Sequence, residues 1–421
     1  MKRFLSILLL FLLCTGIIFA APGKEQAAKE ITFWSMPNAP DDVQMPWVEK
    51  KAAEFEKATG IKVLFEVVGW GDAWPKISSA IATGEGVDVF QVGTTWNPQF
   101  AATGGLEELN IADFGGSNAY MKANLESCTY KGKVFGIPWF AETRVLYINK
   151  DMFAEAGVKA PKTHEELMMV GKKIIDVFGQ GRAISIAGTN AWDLLHNFAI
   201  ILWANGGDIV KGGKAVFNGP EGVRAMRWYV GLLKEGLASK ANAEYNQPQA
   251  DAAFINGNVA MCYMGPWNIA NINHDNPELN YDVVEPPAGP AGFASFSGGS
   301  NLVVLKRSKN LEAAKAWIKH LVKTQNIVEY TKDLTNMLPA KIEAFDDPFY
   351  DKGVWKTFKK VLSYATAYPP LGVWGDIENS VVQDFKNVLA DYVNGTYTDA
   401  SAQQYLNAAA SKVNAALAKE M

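Results

Sequence analysis

The sequence predicts an α/β chain organised in two lobes, and three observations lead there. Roughly 400 of the 421 residues follow an apolar leader, more than one hydrophobic core usually organises. Short β-rich runs alternate with amphipathic helical patterns along most of the chain. A stretch rich in Gly, Pro and Ser, running from Pro286 through Pro290 and Gly292 to Ser300, interrupts that alternation and reads as a connection.

The leader comes first. Lys2 and Arg3 give a positive start, residues 4–19 are almost wholly apolar, and Ala20 and Ala21 precede Pro22. That pattern is a secretory signal at residues 1–20, cut after Ala20. Its apolar run is short for a membrane span. Lipidation at Cys14 is the weaker reading, because Leu13 stands where a lipoprotein signal wants a small residue. No later stretch has the length of a transmembrane helix, so a soluble mature chain is expected. Without Lys2 and Arg3 the chain carries 38 basic against 44 acidic side chains, a modest acidity that disfavours nucleic acid or an anionic membrane as partner. Cys128 and Cys262 belong to no CxxC pair and leave two readings open, one bridge or two buried thiols.

After the leader, residues 31–35 read as a first strand. A helix at 47–58 follows, with Val48, Ala52 and Phe55 on one side and Gly60 as its stop. A strand at 61–68, a helix at 74–83 and a nearly continuous apolar strand at 87–92 complete a set of right-handed βαβ units and a parallel sheet. Residues 144–148 begin the same grammar again. Thr163 to Glu166 forms a capping box after Pro161, opening a helix that turns Leu167, Val170, Ile174 and Val177 inward. Strands at 184–187, 259–264 and 281–284 are interleaved with a helix that starts at Pro220 and stops at Gly236. A strand at 302–305 and a helix at about 311–322 resume the pattern. Tyr405, Ala409, Val413 and Leu417 share one face of a closing helix.

Motifs of catalysis are missing: HExxH, a GK[ST] phosphate loop and GxGxxG do not occur. His164, His196, His274 and His320 lack ligand spacing, so neither a metal site nor a cofactor is expected. Glu142 and Asp376 are the one carboxylate pair considered for a hydrolase, and their separation in sequence makes it weak. The reading is therefore of a protein that is not an enzyme.

The tryptophans carry the functional signal, all 13 of them lying outside the leader. Trp34, Trp70 and Trp96 fall at the ends of the first three strands, and Trp267 and Trp374 at similar junctions later. In an open parallel sheet, ligands bind beyond the carboxyl ends of the strands. Flat indoles cover the C–H face of a pyranose while polar side chains take its hydroxyls. Asp72, Thr95, Glu142, Asn190 and Asp376 stand near those indoles as polar companions. Arginine is scarce after the leader (Arg144, Arg182, Arg224, Arg227 and Arg307), which disfavours a phosphorylated or strongly acidic ligand.

At this point the residues match a family. The matching stretches are 55–63 (FEKATGIKV), 87–90 (VDVF), 104–109 (GGLEEL), 133–138 (KVFGIP), 146–150 (LYINK), 204–208 (ANGGD), 254–258 (FINGN) with Ala260 and Met261, and 338–340 (LPA). In this order the chain resembles the extracellular solute-binding proteins of the sugar-binding family 1 type, the maltose-binding-protein-like components of ABC transporters. The resemblance implies a two-lobed periplasmic-binding-protein fold, each lobe a sheet flanked by helices with a hinge between. It implies an N-terminal lobe of 21–140 plus 297–343 and a C-terminal lobe of 141–296 plus 344–421, with crossings near 137–142, 295–299 and 341–345. Glu142 matches the family's cleft glutamate, Trp267 its stacking tryptophan and Trp374 its late cleft aromatic. Trp192 is preferred to His196 for one further contact, and Gly299 and Ser300 join the ligand set at the second crossing. Residues 35–38 lack the acidic residue that maltodextrin binders carry there, which puts maltose itself in doubt. The implied function is a monomeric periplasmic receptor that closes on a sugar, an oligosaccharide, and delivers it to the permease subunits of an ABC importer. The alternative is a receptor of the same fold for a non-sugar solute such as glycerol phosphate.

Overall fold

The structure, a computed structural model, describes residues 30–189 and 191–420, apart from the side chains of 191, 192 and 399. The signal at 1–20, Cys14 and Asn190 lie outside the described residues. Among those described, the first five strands are β1 (Glu30–Ser35), β2 (Lys62–Val67), β3 (Val89–Gly93), β4 (Thr129–Tyr130) and β5 (Lys133–Val134). The middle of the chain supplies β6 (Ile137–Thr143), β7 (Val145–Asn149), β8 (Ile184–Ser185), β9 (Val210–Lys211) and β10 (Lys214–Ala215). Last come β11 (Met261–Met264), β12 (Tyr281–Val284), β13 (Ser297–Val304) and β14 (Leu338–Pro339).

Two sheets organise the molecule, each flanked by helices. The larger has the order β14-β6-β13-β3-β1-β2 and the smaller β12-β7-β11-β8. β1 runs parallel to β2 and β3, as alternating strands and helices require. β13 is antiparallel to both β3 and β6, because it re-enters the larger sheet from the smaller lobe. Both faces of the larger sheet are sealed. Phe33, Phe55 and Trp317 bury on one face, and Trp34, Val92 and Phe100 on the other.

Only Arg144 separates β6 in one sheet from β7 in the other. Ser295 ties this crossing to the chain returning into β13: its hydroxyl donates to the Arg144 carbonyl at 2.6 Å and lies 3.0 Å from Thr143 Oγ1. A third passage leads from β14 to Ala340 and Phe345, which bury with Tyr147 and Phe358 of the smaller lobe.

Two sequence expectations are corrected, and one open reading is settled. Residues 297–300 are not a connection but the first half of β13. Gly299 is there because the Phe140 carbonyl passes so close that a Cβ would sit 2.1 Å from it, at a φ of +128°. The pairing register shifts between Ser300 and Asn301, so these glycines mark a bulge and a close backbone approach. The first two helices also start earlier than residues 47 and 74. Asp41–Thr59 carries Pro46 inside it and Trp70–Thr83 carries Pro75, each past the opening turn, where the ring removes one backbone hydrogen bond from the helix. Asp41 and Asp42 in the first turn favour that earlier start through the helix dipole. Cys128 and Cys262 are both buried free thiols.

Candidate functional site

A cleft of about 540 Å³ opens between the lobes. One wall is the loop after β1 together with Trp70, Phe140, Gly299, Ser300 and Met337. Gln91, fully buried on β3, organises that wall. Its Oε1 accepts from the Met36 amide at 2.9 Å and its Nε2 donates to Ser300 Oγ at 2.9 Å. Asn38 is held by the same network: its amide nitrogen donates to the Met36 carbonyl and to Tyr330 Oη, each at 2.9 Å. Trp70, 39 % exposed, opens its helix, and its indole N–H donates to the Pro37 carbonyl at 2.9 Å. Trp96 supports it edge-on at 5.8 Å and is itself braced by Trp74 at 5.3 Å.

The facing wall is charged. Arg144 lies with its guanidinium 4.4 Å above the ring of Trp267. Glu142 Oε2 is 3.6 Å from Arg144 Nε, and Asp193 Oδ1 is 4.0 Å from Arg144 Nη2, both longer than hydrogen bonds. Burial raises the Glu142 pKa, Arg144 pulls it back and Asp193 pushes it up again. Glu142 Oε2 and Arg144 Nη1 are buried without a hydrogen-bond partner. His196 stacks on Phe296 at 4.0 Å and its Nδ1 is 2.7 Å from Tyr368 Oη. Burial, with Arg144 adding to it, holds its pKa well below that of an ordinary histidine, so the ring is neutral. Trp267 caps the helix Asn268–Asp275. Its ring folds back so tightly that a Cβ on Gly265 would come within 2.0 Å, which is why the Gly-Pro-Trp turn needs its glycine.

Of the residues singled out from sequence, Trp70, Glu142, Trp267, Gly299 and Ser300 line this cleft. Trp34 does not. It is still inside β1, paired with Glu66 and Phe90, and packs in the core with Lys76 Nζ 4.5 Å over its ring. Trp96 is buried behind Trp70 and does not line the cleft. Trp374 is 1 % exposed, stacked on Tyr368 at 4.4 Å, and its N–H donates to Glu378 Oε1 at 2.7 Å. Thr95 and Trp374 face a separate crevice of about 10 Å³, room for a single water at most. Asp72 is exposed in the first turn of its helix, away from the cleft. Asp376 is exposed and pairs with Lys419 at 3.7 Å, so the Glu142–Asp376 pair shares no cavity. The Trp192 side chain lies outside the described residues; His196, the second choice there, lines the cleft.

Sequence reasoning missed Asn38, Arg144, Asp193 and Asn271 as lining residues. Arg144 had a usable signal, a lone charge between the apolar runs of β6 and β7. Asp193 and Asn271 sit on helices whose pattern gives no sign of which face meets the cleft. Among the described residues no cluster of three His, Cys, Asp or Glu could hold a metal ion, and no helix is long and apolar enough to cross a membrane.

The family of bacterial extracellular solute-binding proteins matches residues 50–357, nearly three quarters of the sequence. This chain belongs to that family. Relatives of this solute-binding protein include the diacetylchitobiose-binding protein DasA of Streptomyces coelicolor, 31% identical over 307 residues that make up 70% of this chain and 69% of that protein. A maltooligosaccharide ABC transporter solute-binding lipoprotein of Streptococcus pneumoniae is 28% identical over 84% of this chain and 83% of its own length. Among solved structures, an ABC transporter solute-binding protein from Thermotoga lettingae, bound with α-D-tagatose, superposes with a TM-score of 0.80 at 25% identity. That match covers 93% of this chain and 100% of the other. The GacH receptor of Streptomyces glaucescens, solved unliganded and with acarbose, gives 0.78 at 25% identity over 92% of this chain and 99% of its own. The family and these neighbours are binding proteins, several of them of ABC transporters, with sugars as their named ligands.

Proposed function

We propose that this solute-binding protein is a periplasmic sugar receptor of an ABC importer, closing on an oligosaccharide in the cleft and presenting the closed form to the membrane permease. The observation that carries the reading is the pairing, across one cleft, of the indoles Trp70 and Trp267 with the polar groups of Glu142, Arg144, Asp193 and Asn271. Indoles cover the apolar face of a pyranose, and charged or amide groups take its rim of hydroxyls. The hinge is the set of three passages described above. Arg144 belongs to both the crossing and the cleft, so a ligand that touches it acts directly on the element that bends. Buried atoms without partners, Glu142 Oε2 and Arg144 Nη1, gain most from a movement that brings ligand hydroxyls to them. The protein acts as a monomer, without cofactor or metal, and performs no chemistry on what it binds.

An anionic ligand such as glycerol phosphate is the second reading, and Arg144 in the cleft is the observation that favours it. Two carboxylates bracket that guanidinium and offset its charge, so a phosphate entering the cleft would meet two like charges beside the one arginine. The test is a thermal-shift screen of the mature protein with N,N′-diacetylchitobiose, maltose, maltotriose and tagatose, with glucose 6-phosphate and glycerol 3-phosphate as controls. A sugar at a hundred times its Kd adds about 2.7 kcal/mol and raises Tm by several degrees. A shift from the phosphates alone overturns the sugar reading and leaves the fold untouched.

A further inference from the structure

Behind the charged wall runs a chain of buried amides that ends on a carboxylate outside the cleft. Asp251 lies in the helix Gln247–Ile255 and is 5 % exposed. Its Oδ2 accepts from Asn268 Nδ2 at 2.8 Å and its Oδ1 from Gln247 Nε2 at 2.6 Å. Asn268 Oδ1 in turn accepts from Asn271 Nδ2 at 2.9 Å, and Asn271 is an exposed residue of the cleft wall. On the other branch, Gln247 Oε1 accepts from Asn197 Nδ2 at 2.8 Å, next in sequence to the cleft residue His196.

An ionised carboxylate only accepts hydrogen bonds, whereas an amide can face either way. Asp251 therefore sets the direction of every link. Asn268 must turn its nitrogen to Asp251 and its oxygen to Asn271. Asn271 must turn its nitrogen to Asn268, so its Oδ1 is left for the cleft. Resting on the sugar-receptor reading, we propose that Asp251 is a positioning residue that fixes Asn271 as a hydrogen-bond acceptor, selecting ligands that offer a hydroxyl or amide N–H to that wall.

Proton uptake by Asp251 has a definite consequence. Both of its oxygens already accept amide donors, so a proton on either one weakens that oxygen as an acceptor and loosens the link it receives. Burial raises the Asp251 pKa to about 7, against the lowering effect of its two amide donors and of Arg144, while Asp193 adds to the rise. Tyr147 on β7 and Cys262 on β11, which also face it, are kept un-ionised by burial. Among the described residues, Arg144 and Asp193 are the charges that act on it.

The experiment has a ligand-free arm and a ligand arm. In side-chain amide spectra of the 15N-labelled mature protein, the Asn268 and Asn271 NH2 signals should move together with a midpoint near pH 7. In the isosteric Asp251→Asn protein they should stay still. Resonances that ignore the titration, or follow it equally in Asp251→Asn, overturn the relay. For the ligand arm, N,N′-diacetylchitobiose and maltotriose are titrated calorimetrically into wild type, Asp251→Asn, Asn271→Ala and the double variant. Each single change should weaken binding about tenfold, the double no more than either, because coupled residues are non-additive. Wild-type affinity should fall on acidification below about pH 7, and Asp251→Asn should lose that part of the pH profile. Additive losses, or an Asp251→Asn protein with unchanged affinity and pH profile, overturn the proposal while leaving the receptor reading standing. A ligand-free titration as expected with no binding of any sugar in the screen overturns the receptor reading instead.

Discussion

The two walls of the cleft are built on opposite plans. The wall behind the β1 loop is neutral, and its polar side chains satisfy one another: Gln91, Ser300, Asn38 and Tyr330 form a closed set of hydrogen bonds. The facing wall holds two acids and a guanidinium at 3.6 and 4.0 Å, short of hydrogen bonding, and leaves buried atoms of Glu142 and Arg144 without partners. A saturated wall keeps its shape whether or not a ligand is present. An unsaturated one has bonding capacity to give, and it stands at the crossing between lobes. On the receptor reading proposed above, the difference would concentrate recognition and hinge movement on one side and leave the other as a preformed template.

The strongest test of that contrast compares two tryptophans that the sequence does not distinguish. Trp34→Ala opens a hole in the core of the larger sheet and should cost about 3–5 kcal/mol in denaturant unfolding, with sugar affinity unchanged in the folded protein. Trp70→Ala removes an exposed indole and should change stability by less than about 1 kcal/mol while weakening sugar binding roughly tenfold. Equal effects from the two would mean that the template wall is not separate from the core.

Next comes Arg144→Met, aimed at the charged wall. It leaves Glu142 and Asp193 facing each other without the cation, so stability should fall by about 3 kcal/mol at neutral pH. The loss should shrink on acidification as Glu142, already raised by burial, takes up its proton. A variant as stable as wild type would show that the guanidinium serves the ligand alone.

The last test lies outside the cleft, at Glu378. Burial raises its pKa to about 8, despite the hydrogen bond from Trp374. A carboxyl whose folded pKa lies above its unfolded one contributes stability at low pH and loses it as pH rises through the folded value. The wild-type Tm should therefore fall between about pH 5 and 9, and Glu378→Gln should flatten that part of the profile. His196 and His164, held neutral by burial, act in the opposite sense: their share of stability is present above about pH 6.5 and lost as pH falls below it.

Much of the architecture was legible because it depends on local pattern. The parallel pairing of β1 with β2 and β3 follows from strands that alternate with helices. In the stripe of Tyr405, Ala409, Val413 and Leu417 the last three are buried as their spacing required, and Tyr405 is half-buried. Residues 297–300 misled because glycine marks both a loop and a bulge, and only the passing Phe140 carbonyl tells them apart. The first helices begin at Asp41 and Trp70, with Pro46 and Pro75 inside them, a start that apolar spacing alone does not reveal.

The candidate site was legible in part. Trp70 and Trp267 reach the cleft from a helix start and a turn, while Trp34 and Trp374, at junctions of the same kind, are sealed in cores. A strand end specifies where the chain leaves the sheet, not which way a ring turns. The sequence shows Arg144 as one of few arginines, and only the sheet order places it between two sheets.

What the sequence by itself determined is the class of element along the chain, the family, and the supply of indoles and acids from which a sugar site can be made. These are properties of neighbours in the chain, fixed by periodicity, capping and residue chemistry. Tertiary structure alone decided which indoles face the cleft, that Arg144 stands between Glu142 and Asp193, and that Asp251 governs Asn271 through Asn268. Each depends on groups far apart in sequence meeting at a few ångströms, where packing and burial choose among orientations that every local pattern allows.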